Sequence, residues 1–279
     1  MHFGRFIATM SRITLSILII LLSLIGYAQK SGQTDFELGV SGGVSWYNGD
    51  LNPTGFWNTN YMHRAYGISL RRNLNQRFAL RSQFNVGRVS ADDKLSTATF
   101  QQSRNLNFQS EIYELSTTVE FNFHPFDALV SKYRFSPFTF VGLAGFHFNP
   151  TTEIEGSLFE LRPLQTEDKA YKQIGIAIPF GFGLKLAVTD RILLSADWGL
   201  RRTFTDYLDD VSDRYPLESE IEGVAKDISD RSLTQAGPDG SNWGTQRGDP
   251  TNKDWYSFAT ATLSVRLGPK KGSCKHLRI

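Results

Sequence analysis

The sequence predicts an all-β fold, an eight-stranded antiparallel transmembrane β-barrel with long extracellular loops and short periplasmic turns. Three observations carry that expectation: eight segments alternate apolar and polar residues with a period of two, the leader has the make-up of an export signal, and short and long connections alternate along the chain.

Residues 1–28 hold Arg5 and Arg12 ahead of an aliphatic run from Ile13 to Ile25, followed by small residues at Gly26 and Ala28. This is the pattern of a secretory signal peptide cut between Ala28 and Gln29. The alternative, an uncleaved anchor, is disfavoured because a membrane-spanning helix needs ~20 apolar residues. No Cys opens the mature chain, so a lipid anchor is not expected. Past the leader there is no long apolar run, and any membrane role must therefore use strands. The expected organisation is signal peptide 1–28, a short periplasmic lead 29–35, a barrel over 36–267 and a basic periplasmic tail 268–279.

Composition narrows the classes further. With 24 Gly, 21 Phe and one Cys, the chain is not a disordered, collagenous or disulfide-stapled protein. The net charge of +2 comes from Arg5 and Arg12, so beyond the leader 28 basic and 28 acidic residues balance. No nucleic-acid partner is implied.

The first strand, Phe36 to Trp46, sets Phe36, Leu38, Val40, Val44 and Trp46 against Glu37, Gly39, Ser41, Gly43 and Ser45. In the second, Met62 to Arg72, Tyr66, Ile68 and Leu70 oppose Gly67, Ser69 and Arg71; in the third, Arg77 to Arg88, Phe78, Leu80, Phe84 and Val86 oppose Arg81, Gln83 and Asn85. The fourth, Ile112 to Phe123, opposes Tyr113, Leu115, Val119 and Phe121 to Glu114, Ser116, Thr118 and Glu120. The fifth, Phe138 to Phe148, is apolar on both faces and gives no orientation. The sixth, Gln173 to Leu186, is the clearest: Ile174, Ile176, Ile178, Phe180, Phe182, Leu184 and Leu186 alternate with glycines, Ala177, Pro179 and Lys185. The seventh, Arg191 to Phe204, carries Asp197 and Arg201 on its polar face, and the eighth, Trp255 to Leu267, carries Arg266. Pro179 removes a ladder donor in a sheet without edges, which predicts a bulge.

Residues 73–76 and 188–190 read as tight turns and 124–136 as an intermediate one, whereas 47–61, 89–111, 149–172 and 205–254 are long and polar. Every long connection falls at one end and every short one at the other, the asymmetry of outer-membrane barrels. Alternation alone does not separate a membrane barrel from a soluble, lipocalin-like one. Volume does: an eight-stranded barrel has room only for side-chain filling, and the large apolar set would overfill it. The polar set is therefore expected inside, where Glu37, Glu114, Glu120 and Asp197 should pair with Arg71, Arg81, Lys185, Arg201 and Arg266, because unpaired buried charge is costly. Trp46, Tyr47, Phe78, Phe121, Phe123, Phe204 and Trp255 are expected in interfacial girdles.

Little in the chain speaks for catalysis, and no enzyme activity is expected. The five His residues share no metal-ligand spacing. Gly39, Gly42 and Gly43 lack the Gly-Lys-Ser/Thr of a phosphate loop. His63 and His147 fall toward the extracellular rim without a visible triad. The 205–254 connection is rich in carboxylates, among them Asp206, Asp209, Asp210 and Asp213, but matches no calcium loop and reads as solvated. Cys274, alone in an exported chain, is a candidate for an intermolecular disulfide, with an inert thiol as the alternative.

Particular strings go beyond architecture: Asn48–Asp50, Asn149-Pro150, Leu161–Glu167, Arg202–Ser212, Gln246–Gly248 and Asp254–Tyr256. Together they resemble the PorG family, outer-membrane barrel components of the Bacteroidetes type IX secretion system. The Arg202–Ser212 run, with Asp206, Tyr207, Asp209 and Asp210, is the most specific piece, whereas Gln165–Asp168 departs from a more Gly-rich family form. The resemblance implies residence in the cell outer membrane in contact with its lipid, no cofactor, and a part in protein secretion and, in gliding species, motility. It also implies association with a periplasmic ring lipoprotein and its partner protein. With a filled lumen, the expected role is anchoring or stabilising that ring, with Cys274 a possible covalent link; the alternative is a small outer-membrane pore or general structural barrel.

Overall fold

The computed structural model describes residues 35–52, 59–129, 131–235, 237 and 239–267. The cleavage point at Ala28 and Gln29, the basic tail and Cys274 lie outside the described residues. Eight long strands form the wall: β1 (Asp35–Asn48), β2 (His63–Asn73), β3 (Phe78–Asp92), β4 (Asn107–Asn122), β5 (Phe135–Ile154), β7 (Ile174–Ala187), β8 (Ile192–Thr203) and β9 (Trp255–Arg266). A four-residue strand, β6 (Ser157–Glu160), folds back on the end of β5 outside the wall. Each wall strand pairs antiparallel with the next, and β9 pairs with β1, so the sheet closes into an eight-stranded barrel.

Sidedness follows the alternation. On β7, Leu184 is 51% exposed and the adjacent Lys185 is 2% exposed. Leu38, Val40, Ile68, Leu70, Leu115, Val119, Leu143, Ile176, Phe182 and Leu263 extend the exposed apolar belt around the barrel. No helix among the described residues is long and apolar enough to cross a membrane.

Four features differ from the sequence reading. The face of β5 that could not be read turns Phe138, Phe140, Phe146 and Phe148 inward and Val141 and Leu143 outward. The lumen is therefore not filled by small and charged residues alone; its glycines make room for these rings. A methyl group on Gly183 would stand 2.7 Å from the Phe138 ring, and one on Gly199 2.6 Å from Phe140. Second, the bulge expected at Pro179 is absent. The β5–β7 register runs on unchanged from Val141↔Phe180 to Ala144↔Ala177, and only the two intervening pairs drop out of the ladder, because Pro179 has no N–H to offer.

Third, Tyr47 is not in a girdle: it lies on the lumen side and is wholly buried, while Trp46 is buried too and stacks on Trp198 at 6.4 Å. Phe123 and Phe204 are exposed, and Phe78, Phe121 and Trp255 half-buried. Fourth, β3, β4 and β5 run past the expected strand ends, so that part of 89–111 and 149–172 is a protruding sheet. The loop end therefore has walls of its own, against which the remaining connections pack.

Candidate functional site

All nine predicted lumen charges are buried on the inner face. Toward the turn end they form one network centred on Glu120, which meets Arg71 Nε at 3.0 Å, Arg81 Nε at 3.1 Å and Lys185 Nζ at 2.6 Å. Arg71 continues to Glu37 (2.7 Å) and Arg81 to Asp197 (3.0 Å). Arg266 is the register partner of Glu37 on β9. Higher up, Arg201 pairs with Glu114 (3.0 Å), which also accepts hydrogen bonds from Asn85 (2.9 Å) and the Tyr256 hydroxyl (2.8 Å). The inward Phe rings face these cations: Lys185 Nζ is 4.4 Å from the Phe138 centroid and Arg81 is 4.9 Å from Phe140. Ion pairs and cation–π contacts together replace the water that the charges lose on burial.

The turn end is capped by the β4–β5 connection. Phe126 and Ala128 fold under the barrel and cluster with Ala187 and Leu193, with Phe126 held by its N–H to Gln76 O at 2.9 Å.

The loop end is closed more elaborately. The 204–254 connection enters the mouth and buries Leu208, Val211 and Ile228 against Tyr47, Leu51, Phe108, Phe148, Leu161 and Tyr256. The expectation that its carboxylates are solvated is wrong for the first part of the run: Asp206, Asp209 and Asp210 are buried, and Asp213 is half-buried. Tyr207 is half-buried and stacks on Tyr171 at 4.8 Å.

Two buried arginines tie the connections together. Arg104, at the C-terminus of helix α1 (Thr99–Arg104), grips Asp93 bidentately (2.8 and 2.9 Å) and donates to Arg247 O (2.6 Å) and Asp50 O (3.1 Å). Arg247 donates to Glu167 Oε1 (3.0 Å), Asp210 O (2.6 Å) and Ser229 O (3.3 Å). Glu167 in turn accepts from the Ser212 N–H (2.9 Å), and Asp210 accepts from Thr166 and the Tyr171 hydroxyl (2.7 Å). Four connections, β1–β2, β3–β4, β6–β7 and β8–β9, thus share one polar framework. A void of about 10 Å³, room for a single water, lies among Leu51, Leu106, Asp209, Val211, Ile228 and Arg247.

The acids of this framework are strongly perturbed. Burial, then repulsion from Asp50, drives Asp209 well above the usual carboxyl range, and burial with repulsion from Asp209 and Asp206 does the same to Asp254. Asp50 is pushed up to about 7 by burial, against the opposing pull of the Asp249 amide and Arg104. Asp210 rises to about 6 for the same first reason, held back mainly by Arg247. The Tyr47 hydroxyl lies 2.5 Å from Asp209 and 3.1 Å from Asp254. One phenol proton serves one acceptor, so the second contact calls for a protonated carboxyl.

This chemistry latches the connections over the barrel mouth as a lid. No group of His, Cys, Asp and Glu among the described residues is arranged to hold a metal ion. At the rim, His63 Nε2 meets Ser90 Oγ at 2.6 Å, and the His147 ring lies 6.2 Å from Tyr113 on the outer face. Reading the sequence missed Arg104 and Asp93, whose pairing across a short loop leaves no periodic trace. It named Arg247, Glu167 and Asp254 only within strings.

The family model described as "Domain of unknown function (DUF6089)" matches residues 14–225. No curated protein matches the chain. Among solved structures the chain is similar to Ail, the attachment invasion locus protein of Yersinia pestis, at 9% identity, 84% of this chain, 99% of that chain and a TM-score of 0.41. It is similar also to the outer membrane protein OprG from Pseudomonas aeruginosa (10%, 83% and 95%, TM-score 0.41) and to Neisserial surface protein A (10%, 82% and 96%, TM-score 0.39).

Proposed function

Given that the chain belongs to the DUF6089 family, we propose that it is a non-enzymatic outer-membrane barrel of a type IX protein secretion machine, serving gliding as well where the cell glides, and that it anchors a periplasmic ring. The inverted barrel supports membrane residence: acyl chains suit the exposed Leu38, Ile68, Leu143 and Phe182, and the ionised groups are inside. The secretion role rests on the resemblance of the quoted strings to the PorG family.

The observation that carries the anchoring role is a lumen closed at both ends, by Phe126 and Ala128 below and by the 204–254 connection above, with ion pairs between. Such a barrel is no conduit for a protein, which leaves its turns and rims to hold a partner. Deletion of the gene is expected to stop export of the system's substrates, and pull-down from solubilised outer membranes to bring down the ring lipoprotein and its partner protein. Unimpaired export in the deletion strain refutes the secretion role. If Cys274 links the barrel covalently to the ring, Cys274→Ser removes a slow-migrating species from non-reducing gels.

One observation favours a second reading, a general structural barrel. The family-signature strings lie together in the mouth, where they hold loops to one another and need no partner. Loss of membrane integrity without loss of export marks that reading. A small pore predicts current across a planar bilayer, and the paired lumen predicts little.

A further inference from the structure

Beside the apolar belt at the turn end lies a groove of about 370 Å³ lined by His124, Pro125, Lys132, Tyr133, Arg134 and Phe135. Its floor is greasy and continuous with the belt: Phe135 is 47% exposed and pairs in register with Leu186, which is exposed too. Its rim is cationic. Lys132 is exposed, with Nζ 5.8 Å from the Tyr133 ring. Arg134 pairs through Nη2 with Asp190 in the β7–β8 turn, and its side chain stays 33% exposed. Around the same end stand Arg72, Arg77 and Arg191, against Asp127 and Asp190. Arg134 and Lys132 thus set two cations beside an apolar floor, at the level where headgroups begin.

From this we infer that the groove binds the phosphate of an anionic glycerophospholipid, with the exposed part of the Arg134 guanidinium and Lys132 Nζ on the phosphodiester oxygens and an acyl chain along Phe135 and Leu186. The inference rests on the membrane reading above but not on the secretion role. It assigns the turn end a lipid of one leaflet, so the site fixes the depth and tilt at which the barrel sits.

The test uses the folded full-length chain in a zwitterionic detergent, doped with equal amounts of phosphatidylglycerol and phosphatidylcholine and read by native mass spectrometry. Wild type is expected to retain phosphatidylglycerol over phosphatidylcholine by on the order of tenfold. The Lys132→Gln, Arg134→Gln double variant is expected to lose that preference and the Arg72→Gln, Arg191→Gln control to keep it. Asp190→Asn breaks the ion pair without removing the cation and should retain the lipid at least as well as wild type, which separates binding from a structural role of Arg134. Equal retention of both lipids, a preference surviving the double variant, displacement by inorganic phosphate alone, or replacement of the lipid by a hexaglutamate peptide each overturns the inference. Heat-modifiable gel migration of the same samples reports the barrel itself: if wild type forms no such barrel in lipid, the membrane reading falls, whereas a good barrel without lipid preference refutes the site alone.

Discussion

Replacing Arg247 by Met tests whether the mouth is held by the polar framework or merely filled by apolar packing. Met keeps the volume and stem of Arg247 but removes its donations to Glu167, Asp210 O and Ser229 O. Breaking a buried pair from one side costs about 3–5 kcal/mol, because the remaining charge stays buried. Glu167 keeps its backbone donors from Ser212 and Asp213 and Asp210 its donors from Thr166 and Tyr171, so what both lose is their shared cation. The Asp210 carboxyl sits at about 6 with Arg247 beside it, and without the guanidinium it rises further. A folded value raised above the unfolded one means that the closed lid is favoured while the group is protonated and loses stability as pH climbs toward the folded value. The variant's deficit must therefore be smaller near pH 5.5, where the lost donations to Asp210 O and Ser229 O already count, and grow through pH 8. Hydrogen exchange of the Leu208, Val211 and Ser212 amides reads this directly, since each is bonded within the framework. A deficit of about 3–5 kcal/mol is two to nearly four decades of faster exchange at pH 8, with the β1 and β9 amides unchanged as the internal reference. Equal protection of these three amides in both proteins at both pH values refutes the framework as the latch.

Four further outcomes are expected. Glu120→Gln leaves Arg71, Arg81 and Lys185 without their common partner and should lower the unfolding free energy of the lipid-embedded barrel, read by urea titration, by about 3 kcal/mol or more; an unchanged free energy rules out the network as a source of stability. Leu184→Arg sets a charge on the exposed belt and should cost about 2–4 kcal/mol in vesicles, a penalty absent if this face meets water. Gln165 has a left-handed φ of 48° at the end of helix α2 (Leu161–Leu164), so Gln165→Gly should stabilise the lid by about 0.5–1 kcal/mol in amide exchange; slower closure or weaker protection counts against that. Because Asp50, Asp209 and Asp254 are raised above their unfolded values, wild-type lid protection should fall as pH rises from about 4 through about 7. Asp209→Asn should flatten that slope, and a slope of opposite sign in wild type excludes the protonated cluster.

The barrel wall was legible because period-two alternation is a local signal: Leu184 beside Lys185, or Val119 beside Glu120, declares its face without knowledge of any other strand. The pairing of lumen charges followed from electrostatics once the face was known. β5 was not legible, since Phe on the lumen side and Val or Leu on the lipid side look alike, and only the glycines opposite on β7 and β8 mark where rings must fit. The lid was hidden for a different reason. Asp209, Asp210 and Asp254 carry the composition of a solvated loop, and their burial depends on Arg104 and Arg247, which stand more than a hundred residues apart. Gln165 and Asp168 hid the turn in the β6–β7 connection: both hold positive φ, a conformation that glycine would have announced and these side chains do not.

A lipid-facing barrel draws no specificity from its outer face, because one apolar residue is as good as another against acyl chains. Register must therefore come from inside, and the network centred on Glu120 supplies it. A one-residue slip of β2 would turn Arg71 to lipid and Leu70 into the lumen, taking a paired cation from Glu37 and one of three from Glu120 at once. The lid depends on other forces, a dry apolar cluster around Leu208 and acids that close best when protonated. Wall and lid thus answer to different variables: the ion pairs of the wall weaken when carboxylates are protonated, whereas the acids of the lid favour closure then. Mild acidification is expected to tighten the mouth before it loosens the wall, so an opening of this barrel, if a partner drives one, has to begin at the lid and is easiest on the alkaline side of neutrality.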